Sequence, residues 1–508
     1  MGDGVIGEHL EQEVKLDVWP GFRLPDLGGL ADGVVVGSSE TSRLEAVYHD
    51  TADLRLARSG LSLRHRSGDG TGWTLKLPAE VSEIAGAVAR TETTFEGEPG
   101  IVPTPVLDRV SAWRRSELLV PVARMVTERC TLRLTDLDGE LVAEIVDDEV
   151  SAYDDDHVAL RFRELEVEAG PAGRPEVIAA LVDRLVGAGA RPGGHRSKVA
   201  RVLGPRAGEP GDLDVPEAGD APTVCDVVRA GLARSARLVV THDAGVRAGL
   251  DPEAVHQARV GTRRLRSDLQ AFGPLLLPAW TSSLREELSW LADALGDVRD
   301  ADVLLERLEG RVAGLDGGQQ GAGALLVERL CAQRDEARAR LLDVLDDQRY
   351  LDLLDRLVDA ARRPAMVTGA DKPAAKVLPK LAAEPWHRLR KAVDGLGEDP
   401  VDEDLHRVRI RAKRARYAAE LASLAAGKPA RRFAKAVAGL QDVLGGLNDA
   451  VVAEAWLRDA VADLPPGPAG VALALAATER AEADRLHREW GVAWQALDSK
   501  ALRAWLRS

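Results

Sequence analysis

The feature that most constrains this chain is a change of hydrophobic period close to residue 202. Before it, short runs alternate apolar with polar residues and are broken by turn residues: EQEVKLDV, SRLEAVYHDT, GLSLRHR, WTLKL, RTETTFEGE, ERCTLRLTD, GELVAEIVDD and RFRELEVEAG. A two-residue period sends alternate side chains to opposite faces of a strand, so about eight strands are expected. SGDGTG and TDLDGE carry the glycines and aspartates of hairpin loops. PEVIAALVDRLVGAGA then reads as a helix closed by glycine. From residue 222 apolar residues recur at helical spacing, as in VCDVVRAGLARSARLVV and LREELSWLADALGDV. Between the two regimes lies LGPRAGEPGDLDVPEAGDAPT, whose Pro, Gly and Asp mark a linker. The expected organisation is an α+β domain over 1–203, a linker over 204–221 and an all-α domain over 222–508.

The helical region contains its own repeat. RRPAMVTGADKPAAKVLPK interrupts it. HQARVGTRRLRSDL on one side lines up with HRVRIRAKRARYAAEL on the other, and WLADALGDVRDADVLLERL with GLQDVLGGLNDAVVAEAWL. Two related helical-bundle halves, about 222–364 and 378–508, are the simplest explanation.

Composition excludes several classes. At 508 residues the chain is too long for one ordinary domain. No apolar run approaches a membrane span, and no basic-then-apolar leader opens it. Cys130, Cys225 and Cys331 are far apart and form no zinc or disulfide pattern. A cytoplasmic protein with reduced thiols is expected. A net charge of −15 argues against nucleic acid as a partner, so a basic cluster stands out. The oligomeric state is not encoded in any of these features.

Glu11, Glu13 and Lys15 alternate with Gln12, Val14 and Leu16. Alone, such a strand is an ordinary wet face. Other strands behave alike: Arg64 with Arg66, Lys76 between Leu75 and Leu77, Arg129 with Arg133, and Glu164, Glu166 and Glu168 each share a face opposite apolar residues. Solvent faces mix signs, whereas here some strands offer only cations and others only carboxylates. That segregation suits a closed barrel with its charges inside. Confined cations need an anion, and clustered carboxylates need a cation. Hard carboxylate oxygens suit Mg²⁺ or Mn²⁺, and arginine forks with metal ions clamp polyphosphates.

With these motifs in order (ExExK at residue 11, YHDTADLRLARSGLSLRHR, WTLKL, RTE, ERCTLRL, EIVDD, FRELEVE and a late SK), the segment resembles the CYTH superfamily, the triphosphate tunnel metalloenzymes. The resemblance implies an eight-stranded antiparallel tunnel binding a triphosphate with a divalent metal. By motif, Glu11, Glu13, Glu164 and Glu166 would hold metal, with Glu168, Glu144 and Asp147 as further candidates. Lys15, Arg64, Arg66, Lys76, Arg129, Arg133 and Lys198 would line the phosphate site. Glu11, Glu13, Lys15 and Glu166 are the residues expected to carry catalysis, with a lumen carboxylate positioning or deprotonating water.

In the helical region His256, Arg259, Arg263 and Arg266 form one helix stripe, with Arg264 beside it. His406, Arg409, Lys413 and Arg416 repeat it, with Arg414 beside it. No acid interrupts either segment, so a polyanion spanning both would neutralise them. With one His per stripe a metal site is not expected there. This region resembles the CHAD domain, which implies polyphosphate binding by these basic residues. The joint expectation is metal-dependent hydrolysis of inorganic triphosphate or short polyphosphate, with polyphosphate docked on the helices. Granule association would follow from that docking. The alternatives are a non-enzymatic polyphosphate-binding protein, a thiamine triphosphatase and an adenylyl cyclase.

Overall fold

The alternating runs pair into one sheet that closes on itself. The computed structural model describes residues 4–68, 71–79, 84–194, 197–214, 219, 221–367 and 369–507. Its strands are β1 (Val5–Asp17), β2 (Val35–Asp50), β3 (Ser62–Ser67), β4 (Gly72–Pro78), β5 (Val88–Phe95), β6 (Val120–Thr135), β7 (Leu141–Asp154), β8 (His157–Ala169) and the two-residue β9 (Arg191–Pro192). They follow the order β5-β4-β3-β2-β6-β7-β8-β1-β9, and β5 also pairs with β1. All pairings are antiparallel. Closure leaves the eight main strands without a free edge. The β6–β7 turn is TDLDGE: Asp136 Oδ1 accepts from the Asp138 and Glu140 amides at 3.0 and 2.8 Å, and Gly139 takes φ +86°. The SGDGTG loop joins β3 to β4; residues 69–70 within it lie outside the described residues.

Short helices decorate the sheet: α1 (Arg55–Arg58), α2 (Thr104–Arg109), α3 (Ser111–Arg114), α4 (Pro175–Gly187) and α5 (Lys198–Leu203). Buried Asp50, in the YHDT motif, accepts from the Leu56 and Ala57 amides at 2.9 Å each and so fixes α1. The apolar face of the sheet turns outward. Val14, Leu16, Ile145, Leu165 and Val167 pack beneath Ile178, Leu181 and Leu185 of α4. Each such side chain contributes about 1.5–3 kcal/mol by burial, which leaves the charged face for the lumen. At one end the lumen itself becomes apolar. There Ala46, Tyr48, Met125, Val150 and Ala152 pack on Val199, Val202 and Leu203 of α5.

The chain divides into two compact units, Met1–Asp212 and Leu213–Ser508. The linker expected over 204–221 is folded in its first part. Gly204–Gly208 forms a 3-10 turn with Ala207 buried. Arg58 donates to the Pro210 carbonyl at 2.6 Å, and Asp212 pairs with Arg58 and Arg115. These charged partners outweigh the flexibility of the Pro/Gly composition. Residues 215–218 and 220 lie outside the described residues.

The second unit holds α6 (Val224–Ala248), α7 (Pro252–Ala271), α8 (Pro278–Ala313), α9 (Gly317–Asp346), α10 (Gln348–Arg362), α11 (Ala374–Asp394), α12 (Asp402–Ala426), α13 (Lys428–Ala460) and α14 (Pro466–Leu497). The sequence repeat maps onto it, with HQARVGT in α7 matching HRVRIRA in α12 and LADALGD in α8 matching LQDVLGG in α13. The two halves meet where α7 packs on α12 and α9 on α14. Leu308, Leu326, Leu330, Leu457 and Leu475 make part of the shared core. Asp251 caps α7 by accepting from the Glu253 amide at 2.8 Å, with Pro252 in the first turn. Gly261 lets α7 approach α6 closely: a Cβ there would stand 2.7 Å from the Ser235 carbonyl oxygen. No described helix is long and apolar enough to cross a membrane.

Candidate functional site

Directly opposed residues of antiparallel strands share a face, so the register decides what the tunnel sees. Glu13 lies opposite Glu168 and Lys15 opposite Glu166. Glu11 opposes Arg90, Lys76 opposes Glu92, and Arg129 opposes Asp148. Of these, all but Glu13 and Asp148 line a cavity of about 150 Å³ bordered also by Tyr48, Arg64, Arg66 and Lys198. His9 stands at its exposed end.

The lumen charges sort into two groups. In the first, lysines and an arginine neutralise acids. Lys15 Nζ lies 2.6 Å from Glu166, and Lys198 Nζ lies 2.6, 2.9 and 3.1 Å from Glu166, Glu164 and Asp148. Arg129 grips Asp148 through two bonds of 2.8 and 2.7 Å. Burial opposes the charge on Glu166, but Lys15 and Lys198 outweigh it and hold the carboxyl well below its ordinary range. Across the lumen Lys76 bridges Glu11 at 2.6 Å and Glu92 at 2.8 Å. Burial works against the Glu92 charge too, yet Lys76 and Arg64 bring its carboxyl down to about 2.

The second group is a carboxylate trio that overlaps the first, since Glu11 also meets Lys76 and Glu13 lies 3.2 Å from Lys15. Glu11, Glu13 and Glu168 each offer an oxygen within 4.8 Å of the others. Burial, then the charges of Glu166 and Glu11, push Glu168 up to about 8. Burial and Glu166 likewise raise Glu13. Three converging carboxylates that repel one another are a donor set a divalent cation fits, through hard oxygen ligands.

Several sequence expectations are placed differently. Glu164 and Glu166 do not join the trio; they stand with Lys15 and Lys198. Asp147 faces out of the lumen and binds Arg163 through two bonds of 2.8 and 2.7 Å. Its neighbour Asp148, fully buried, is the inward residue. Glu144 shares the lumen face, opposite Glu168, but pairs with Arg133 at 3.1 Å. Arg133 is 58% exposed and stands at the open rim rather than in the cavity. Sequence reasoning gave no role to Arg90, Glu92, Tyr48 or Asp148. The first two lie in the RTE motif, and Arg90 reaches Glu13 at 3.4 Å. The third begins YHDT, and its hydroxyl meets Arg64 at 3.4 Å.

The helical unit gathers Arg259 and Arg263 of α7 with Arg409 and Lys413 of α12. Burial, then Arg409, Arg263 and Arg259, bring Lys413 down to about 7. The Nε atoms of Arg263 and Arg409 are buried without a hydrogen-bond partner. Arg263 lies over the Tyr417 ring at 5.6 Å. Asp300 pairs with Arg259 at 3.1 Å, and Asp449 also attracts Lys413, but repulsion prevails there. Arg264 and Arg416 are instead tied to Glu420 at 3.3 and 2.6 Å. Arg266 and Arg414 belong to another group, around Arg285, Arg388 and Arg411. The repeat's histidines differ: His406 Nδ1 meets Asn448 Oδ1 at 2.7 Å, whereas burial and then Arg299 depress the pKa of His256. Asn448 and Arg299, which occupy matching positions, thus both act on the stripe's histidine.

Comparison with known proteins agrees with this layout. A CYTH domain matches residues 10–184 and a CHAD domain residues 230–458. The uncharacterized proteins Rv2226 and MT2285, from two Mycobacterium tuberculosis strains, are each 34% identical to the chain, with 97% of each sequence covered. Among solved structures, PptA from Streptomyces chartreusis is 25% identical, covering 54% of this chain and 99% of its own, with a TM-score of 0.46. The CHAD domain from the plant Ricinus communis is 28% identical, covering 58% and 96%, with a TM-score of 0.42.

Proposed function

Because the chain belongs to the family that joins a CYTH domain to a CHAD domain, we propose that its tunnel hydrolyses inorganic triphosphate or short polyphosphate and that its basic helices bind polyphosphate. The observation that carries this reading is the lumen: about 150 Å³, walled by cations and set against the Glu11, Glu13 and Glu168 trio. The trio would hold Mg²⁺ or Mn²⁺, which when bound supplies positive charge beside phosphate oxygens. Arg64 and Arg66 of β3, Lys76 of β4 and Arg129 of β6 present cations from three strands, so an anion between them is gripped and oriented from several sides. Lys15 neutralises charge near the trio. Glu166, held between Lys15 and Lys198, is a weak base there and positions both ammonium groups. The charged walls offer little to an adenine or a thiazolium ring, which favours an inorganic substrate over the cyclase and thiamine triphosphatase readings. On the helices, Arg259, Arg263, Arg409 and Lys413 repel one another until a polyanion lies across them. Binding long chains would bring the protein to polyphosphate granules.

Phosphate release from inorganic triphosphate, ATP, thiamine triphosphate and long polyphosphate, with Mg²⁺ or Mn²⁺, tests the reading. Inorganic triphosphate is expected to be cleaved fastest. Release from none of the four would leave a binding protein only.

A further inference from the structure

A second pocket in the helical unit has a different character from the Arg259–Lys413 cluster. Arg411 and Arg414 lie one to two residues along α12 from Arg409 and Lys413, which turns them toward another face of the helix. They line a cavity of about 170 Å³ together with Lys380 and Arg388 of α11. Much of the remaining wall is apolar, supplied by Leu381, Pro385, Ala271 and Pro274. The acid in the wall, Glu384, is taken by Arg388 at 2.7 Å. Burial, then Arg285, Arg411, Arg388 and Arg266, work against the charge on Arg414. Arg285 adds to that repulsion from outside the lining. Lys380, Arg388 and Arg414 are exposed and Arg411 is half-buried, so four cations against one wall acid stand open to an incoming anion.

Pro385 adds a third element. It lies inside α11 and has no N–H to give to the carbonyl one turn earlier, that of Leu381. That acceptor lacks its usual helical donor, and both residues line the pocket.

An inorganic phosphate chain has no apolar surface and no N–H, so it would use only the cations. A ligand that uses all three elements carries a flat ring with a donor, plus a phosphate. Guanidinium groups stack on such rings as well as pairing with phosphate. We propose that this pocket binds a nucleoside phosphate, with its base against Leu381 and Pro385 and its phosphate on Arg411 and Arg414. The site is independent of the tunnel reaction.

Photolabelling of the full-length wild-type chain with 2-azido-ADP, without added divalent metal, tests the proposal directly. Saturable label is expected in the peptide spanning Lys380–Arg388. Label confined to tunnel strands, or no saturable label, would overturn it. In calorimetry Arg414→Glu should weaken ADP binding about tenfold or more. Leu381→Asn should weaken ADP about fivefold and leave pyrophosphate unchanged. Equal loss of both ligands would reduce the pocket to an inorganic anion patch and overturn the nucleoside assignment.

Discussion

The two anion sites proposed for this protein handle charge in opposite ways. In the tunnel, Lys15, Lys76, Arg129 and Lys198 each reach a carboxylate within 2.8 Å. The lumen interleaves acids with cations: even Glu11 and Glu13 of the trio reach Lys76 and Lys15, at 2.6 and 3.2 Å, and Glu168 is the carboxylate pushed up to about 8. On the helices that interleaving fails: cations face cations, and burial with their repulsion brings Lys413 down to about 7. A lumen so paired would select an anion that can replace its ion pairs in one geometry. A surface of unpaired cations would take any polyanion of sufficient length, and salt would compete with it.

The largest test of that contrast is Glu11→Gln. Losing one oxygen donor of the trio should lower the turnover of inorganic triphosphate about 1000-fold in a phosphate-release assay, with polyphosphate binding unchanged. If binding fell in parallel, the sites would not be separate. Next, Arg263→Glu with Arg409→Glu should weaken long-chain polyphosphate binding about 10- to 100-fold, and the dependence of log K on log salt should become shallower. Triphosphate turnover should stay at the wild-type rate.

A smaller effect comes from Lys413. With a value of about 7 in the folded protein, below the usual lysine range, it is mostly neutral at pH 8 and charged at pH 6. A bound polyanion favours the ammonium, so binding takes up a proton and tightens as pH falls. Affinity should rise about three- to tenfold between those limits in equilibrium titrations. Lys413→Arg should flatten that rise, since arginine stays charged. Smallest is Gly261→Ala, which forces a methyl against the Ser235 carbonyl. It should cost about 1–2 kcal/mol and lower Tm by a few degrees in a thermal melt.

Much of this was legible in the chain. The switch from period two to period 3.6 marks both folds, and segregated charges on alternating strands mark an inward polar face. The same period also corrects the misplaced carboxylate. Glu144 and Asp148 are four residues apart and share a face, whereas Asp147, three from Glu144, cannot join it. Strand parity alone would have found Asp148. What sequence could not supply was the partner across the barrel. That Glu168 joins Glu11 and Glu13, while Glu166 is taken by two lysines, depends on the β1–β8 register and on where α5 delivers Lys198. On the helices, spacing gave the stripes but not their neighbours. Glu420 removes Arg264 and Arg416 from the open cluster, and it lies on the same helix as Arg416 but on a different one from Arg264.

The apolar packing of α5 against Ala46, Met125 and Val150 covers one end of the lumen. Under the proposed function, a phosphate chain entering from the opposite end would insert a terminus, and cleavage there would trim chains from their ends. Each fragment released would then compete for that entrance with the next terminus.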